Sequence, residues 1–177
     1  MKNWKKDENR IVVETSQIAR GPVHAEGEVD GTAVMDLGND PVARAEGALK
    51  YCLDAELVGG GEVVVTGSAE VPVALLCGRC ARFFSTNAKK ESFLRAYAWD
   101  DHPETLDLTE DLREELLLEL PGYPLCRPDC KGLCPQCGRN LNEGDCGCPP
   151  PETEAGSDAW AALDGWPETG AGNGAPN

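Results

Sequence analysis

Six of the nine cysteines lie within residues 125–148, LCRPDCKGLCPQCGRNLNEGDCGC, and two more form CGRC at residues 77–80. Two cysteines separated by two residues can grip a tetrahedral soft cation from a single tight turn. The chain has two such pairs, Cys77–Cys80 and Cys134–Cys137, with Cys126, Cys130, Cys146 and Cys148 beside the second. Eight thiols divide into two sets of four, the ligand number of a closed structural zinc site, so two zinc ions per chain are expected. Gly138, directly after the second pair, permits the turn that aims backbone N–H groups at sulfur. The ninth thiol, Cys52, falls in an alternating stretch and reads as a small buried hydrophobe.

Two partitions of the eight are open. In one, Cys134, Cys137, Cys146 and Cys148 form a local site closed by GRNLNEGD, and Cys77 and Cys80 join Cys126 and Cys130 across a long stretch of chain. In the other, a zinc ribbon, the two C-x-x-C turns face each other across one metal. An iron–sulfur cluster would use the same thiolates, but the tight knuckles favour zinc. A redox C-x-x-C needs a βαβ setting that this sequence lacks.

Enzymatic chemistry finds no support. All-cysteine zinc sites leave no open coordination position. The two histidines, His24 and His102, fall in unrelated contexts that read as loops. There is no glycine-rich phosphate loop after a strand and no nucleophile–base pair.

The length of 177 residues suits one compact domain with appendages. No apolar run is long enough to span a bilayer. MKNWKKDENR has no apolar segment behind its charges, so a cytoplasmic setting is expected, where clustered thiols hold metal rather than disulfides. The formal net charge is −15. Only the two cysteine-bearing stretches run the other way. Residues 71–98 set Arg79, Arg82, Lys89, Lys90 and Arg95 against Glu91 alone, and residues 126–142 set Arg127, Lys131 and Arg139 against Asp129. Such patches can meet RNA on an otherwise acidic protein. They can equally offset the net −2 of a metal held by four thiolates.

The elements that must position these cysteines are mostly strands. IVVETSQIA reads as a strand, and residues 21–40 as loops with one strand. DPVARAEGALKYCL reads either as a helix capped by Asp40 or as the lead into a strand. EVVVTG and EVPVALLC read as two strands linked by GSA, and RFFSTNAKKESFLRAYA as a third, giving an antiparallel meander. Leu108, Leu112 and Leu116 recur at helical spacing. Asp107 and Glu110 fit a capping box, Pro121 ends the run, and the acidic face of this helix is expected to be solvated. The expected fold is α+β: an antiparallel sheet with one or two helices. Residues 1–10 are expected to fray. Residues 11–125 form the sheet domain with a helix at 107–120, residues 126–148 a zinc-knuckle segment packed on it, and residues 149–177 a disordered acidic tail.

CGRC at the end of a strand, then DLTEDLREELLLELPGYPLC, then CKGLCPQCGRNLN and CGC, resembles the YceD family of bacterial and plastid proteins associated with accumulation of large-subunit (23S) ribosomal RNA. The resemblance covers roughly residues 10–148. Shorter members lack the Cys134–Cys148 segment but keep the first C-x-x-C and ligand-like residues where Cys126 and Cys130 stand, which implies the two-site partition. Where members carry an Asp-Pro-Arg stretch, this chain has SDAWAALDGW. The resemblance implies a non-enzymatic factor in large-subunit biogenesis. Its partner would be large-subunit rRNA or a pre-ribosomal particle, met through Arg79, Arg82, Lys89, Lys90, Lys131 and Arg139. The alternative is an acidic adaptor that escorts a basic ribosomal protein. Neither reading involves a membrane.

Overall fold

The computed structural model describes residues 9–59, 61–99 and 104–149. The sheet is built from β2 (Val23–Asp30), β3 (Ala43–Ala45), β4 (Ala48–Val58), β5 (Glu62–Leu76) and β6 (Phe83–Ala98), every pairing antiparallel. Strand β5 is central: β4 and β3 lie along one edge of it, β6 along the other, and β2 pairs with β4. Residues of β4 alternate from Leu49 to Glu56. Leu49, Leu53 and Ala55 are buried, while Lys50, Cys52, Asp54 and Glu56 are exposed, the signature of a sheet with one covered face.

That alternation corrects the reading of Cys52. Leu49 and Leu53 take the inward phase, so Cys52 points to solvent. His24 is not in a loop either. It lies on β2 opposite Asp54, with Nδ1 2.7 Å from the carboxylate. His102 and SDAWAALDGW fall outside the described residues.

Further differences have local causes. IVVETSQIA gives only a short strand, β1 (Val12–Glu14), before turning into the single-turn helix α1 (Thr15–Ile18). The stretch after β2 forms α2 (Gly31–Met35), capped by Asp30. Among the described residues three helices are therefore present where one or two were expected, the additional ones being single turns. Asp40 does accept from the N–H groups of Val42 and Ala43, but the chain proceeds into β3 rather than a helix. The supposed link GSA is no turn. Strand β5 runs through it, with a register slip between Gly67 and Ala69 where Glu91 and Ser92 of β6 face the single Ser68, a bulge on β6. Gly67 has φ +151°, and a Cβ there would lie 2.1 Å from the carbonyl oxygen of Cys52, so only glycine fits.

Helix α3 (Thr109–Leu118) covers the sheet at β5 and β6. Leu108, Leu112 and Leu116 are fully buried in the core with Val65, Val71 and Phe93. Asp107 caps the helix, its Oδ1 accepting from Thr109 N–H at 3.0 Å and from the Thr109 hydroxyl at 2.6 Å. Glu110 does not close a capping box; it pairs with Arg113 at 2.7 Å. The start of the helix is tied to the N-terminal segment, because β1 pairs with β7 (Thr105–Asp107) and Ile11 N–H donates to the Thr109 hydroxyl.

The acidic face of α3 is engaged rather than solvated. Tyr97, Arg95 and Lys90 stand on the core-side face of β6, opposite Val63, Val65 and Ala69. Tyr97 donates its hydroxyl proton to Asp111. Arg95 lies 3.5 Å from Glu114 and 3.4 Å from Glu115, and Lys90 lies 2.7 Å from Glu115 and 3.2 Å from Glu119. One helical stripe of carboxylates therefore docks on a matching stripe of strand cations.

Candidate metal centre

The turn joining β5 to β6 carries Cys77 and Cys80, and the loop after α3 carries Cys126 and Cys130. Backbone hydrogen bonds shape the turn: Cys77 N–H donates to Arg82 O at 2.9 Å, and Ala81 N–H to Cys77 O at 3.0 Å. Three contacts draw the second loop onto it. Gly78 N–H donates to Pro124 O at 2.9 Å. Arg79 reaches the carbonyl oxygens of Pro128 at 3.3 Å and Cys130 at 3.1 Å. The Tyr123 hydroxyl donates to Gly78 O at 3.1 Å, with its ring so close that a Cβ on Gly78 would meet it at 2.5 Å.

Cys77, Cys80, Cys126 and Cys130 thus converge, with all four sulfurs within 4.8 Å of one another. Cys134, Cys137, Cys146 and Cys148 form a second group meeting the same limit. The two C-x-x-C turns do not share a group. In the first, Cys77 Sγ lies 3.8 Å from Cys130 Sγ, and Cys80 Sγ lies 3.8 Å from Cys126 Sγ. A tetrahedron with Zn–S of about 2.3 Å has edges of about 3.8 Å, so the donor set fits zinc. Disulfides, at about 2.05 Å, are absent from the described residues. Each group could hold a metal ion.

The two groups differ in depth. Cys77, Cys80 and Cys130 are buried and Cys126 half-buried. In the second group only Cys134 is buried, and Cys137 is exposed. Burial pushes the Cys77 thiol up, but backbone N–H groups of Cys126, Cys80 and Arg79 more than offset it, leaving a pKa of about 6. The backbone N–H groups of Cys137 and Gln136 and the Cys146 thiol bring Cys134 to about 6. Burial and the neighbouring thiols Cys130, Cys77 and Cys80 push Cys126 up to about 12. Cys148 rises to about 12 beside Cys137 and Cys146. Each group therefore sets a thiol with a lowered pKa beside one with a raised pKa, and a cation bound there would favour ionisation of all four.

The basic residues singled out by sequence fall into different settings. Arg79 braces the Cys126–Cys130 loop, and Arg82 pairs with Glu143. Lys89 lies on the solvent side of β6 beside Glu91 at 2.9 Å, and Lys90 lies under α3. Both are some six residues into β6, about 20 Å along the strand from the metal-bearing turn. Lys131 and Arg139 are exposed between and beside the two groups, and neither has an acidic partner among the described residues.

Sequence reasoning passed over Asn142. Its amide donates to Cys130 Sγ at 3.4 Å and to Asn140 Oδ1 at 2.7 Å, while its oxygen accepts from Lys131 N–H at 2.9 Å and Arg127 Nη2 at 2.7 Å. The available signal was the pair of asparagines in RNLN, short amides that favour local backbone bonds in a tight loop.

Residues 85–165 match the family model described as large ribosomal RNA subunit accumulation protein YceD. An uncharacterised protein of Mycobacterium tuberculosis is 35% identical over 120 residues, covering 58% of this chain and 56% of the relative. Two chloroplastic YCED homologues, named as large ribosomal RNA subunit accumulation proteins, also align. The one from Zea mays is 37% identical over 59 residues, or 29% of this chain and 20% of the relative. The one from Arabidopsis thaliana is 34% identical over 64 residues, or 33% and 20%. The chain spans about half the length of the mycobacterial relatives and a fifth of the plant ones. No solved structure matches. Among the described residues, no helix is long and apolar enough to cross a membrane.

Proposed function

We propose that the chain, whose residues 85–165 match the YceD family model, is a non-enzymatic, cytoplasmic factor supporting accumulation of large-subunit ribosomal RNA. Both four-cysteine groups hold structural zinc in this reading. The first ion fastens the loop after α3 to the β5–β6 turn, the second closes the local segment from Cys134 to Cys148, and neither supplies a reactive position. The observation that carries the proposal is the convergence of the eight cysteines into two groups, six of the eight lying within residues 85–165, which match the family model.

Contact with RNA runs through the metal-bearing end. Lys131 and Arg139 are its exposed cations without acidic partners among the described residues. Arg82 and Lys89 can exchange a surface carboxylate for a phosphate at little cost, because exposed ion pairs are weak. Arg79 and Lys90 act within the protein, bracing the loop and the helix. A second reading, an acidic adaptor for a basic ribosomal protein, is favoured by the exposed carboxylates Glu26, Glu28, Asp54 and Glu56 on the solvent face of β2 and β4.

Affinity capture with and without nuclease separates the two readings. Direct contact requires that the purified chain bind large-subunit rRNA fragments with no protein present, weakening steeply with salt. Lys131→Glu with Arg139→Glu should reduce that binding and leave metal content unchanged. Undiminished binding by the double variant overturns the RNA surface. Nuclease-resistant retention of a basic ribosomal protein, with no rRNA binding, supports the adaptor.

A further inference from the structure

Residues 139–143 serve both cysteine groups. They begin the loop between Cys137 and Cys146, so they lie within the second group's own ring. Arg139 O accepts from Cys134 N–H at 2.8 Å, and Leu133 and Asn140 form an isolated antiparallel bridge. The same segment is the outer wall of the first group. Leu141 N–H donates to Gly132 O at 2.9 Å, Glu143 pairs with Arg82, and the Asn142 amide points at Cys130 Sγ.

We propose that Asn142 couples the two sites: closing the second site around its metal presses this amide onto Cys130, so that metal retention at the first site depends on the second being filled. The inference rests on the reading that both groups hold metal. Every hydrogen-bonding group of the Asn142 side chain is committed. Its oxygen takes Lys131 N–H and Arg127, and its nitrogen gives one proton to Asn140 and the other to Cys130 sulfur. Asn140 Oδ1 also accepts Asn142 N–H at 3.0 Å, fixing the amide's direction. A donor aimed at a metal-bound thiolate spreads its charge and holds its orientation, and losing such a partner costs about 10–100-fold in metal affinity. The donor here is carried by a loop whose ends are anchored by Cys137 and Cys146. Without the second metal those anchors are released, and the amide is no longer held against sulfur.

The test uses the full chain loaded with cadmium, whose NMR resonance reports each site separately, followed by metal transfer to a chelator. The second site's resonance is identified by its loss in Cys148→Ser. Asn142→Ala should shift the first site's resonance and speed its metal release about ten-fold or more. Asn142→Asp, which keeps shape and acceptor but loses the donor, should do the same. Cys148→Ser should speed first-site release by a similar factor, and Asn142→Ala with Cys148→Ser should be no faster than either alone, because both remove one interaction. First-site release unchanged in Asn142→Ala, or effects that multiply in the double variant, would overturn the coupling while two ions per chain still bind. Uptake of a single ion would overturn the two-site reading and the coupling with it.

Discussion

Ala81 and Gly138 occupy the same place in two knuckles. Each directly follows the second cysteine of a C-x-x-C by one position and donates its N–H to the carbonyl of the first cysteine, at 3.0 Å and 2.9 Å. Each is left-handed, with φ of 53° and 71°. Glycine adopts that conformation freely, whereas an L-residue with a Cβ is penalised by roughly 1–2 kcal/mol. The buried knuckle therefore tolerates a strain that the exposed one avoids.

Ala81→Gly should consequently raise stability by about 0.5–1 kcal/mol, the relief of strain being reduced by the greater freedom of glycine in the unfolded chain. Gly138→Ala should cost about 1 kcal/mol. A Cβ at Gly138 meets nothing within 4 Å, so its cost is purely backbone. Denaturant titration of metal-loaded protein checks both signs.

Metal analysis of protein purified without a chelating tag should give two zinc ions per chain. Cys77→Ser and Cys126→Ser should have like effects on amide exchange, loosening the β5–β6 hairpin and the loop after α3 together. Cys146→Ser should loosen the segment around Cys134–Cys148. If Cys77→Ser instead matched Cys137→Ser, the grouping of ligands would be wrong.

The helix–sheet lattice makes its own prediction. Lys90→Glu sets a carboxylate against Glu115 and Glu119, so thermal and denaturant midpoints should fall. Lys89→Glu, on the opposite face beside Glu91, should leave them nearly unchanged. Equal losses from the two variants would contradict the docking of the acidic stripe.

Asp107 gives the fold a sign in pH. Burial raises its pKa, but hydrogen bonds from Thr109 and Arg10 outweigh that and hold it below the ordinary carboxyl value. A depressed carboxyl contributes stability above its unfolded pKa of about 3.9 and loses it as pH falls through the folded value. Asp107→Ala should cost about 1 kcal/mol near neutrality. The gap to the parent should narrow as pH is taken below about 4. Comparing the two proteins at each pH cancels any loss of metal common to both.

What the sequence disclosed follows the range of the interactions. Leu108, Leu112 and Leu116 announced α3 because helical spacing is local, and the cysteine spacings announced the chelating turns for the same reason. Cys52 was misread because an alternating strand gives its period but not its phase, which Leu49 and Leu53 decide by packing in the core. The acidic face of α3 reads as solvated in sequence because its partners, Lys90, Arg95 and Tyr97, sit on a strand face that only the folded sheet brings beneath the helix. Gly67 looks like a turn residue in sequence because its need for glycine comes from Cys52 O on the neighbouring strand, a contact between residues far apart in the chain.

The two groups of thiols also close rings of very different size. Cys134 to Cys148 is a short local circuit, whereas the first group joins sulfurs 46 and 53 positions apart. The entropy lost on closing a loop grows with its length. The intervening chain here must also fold into β6 and α3 before its ends can meet. A chain emerging from synthesis presents Cys77 and Cys80 long before Cys126 and Cys130, so it carries half a coordination sphere while the hairpin and helix are made. Complete coordination of a metal at the first group would then be a chemical record that the helix has reached its seat, written by the residues that follow it.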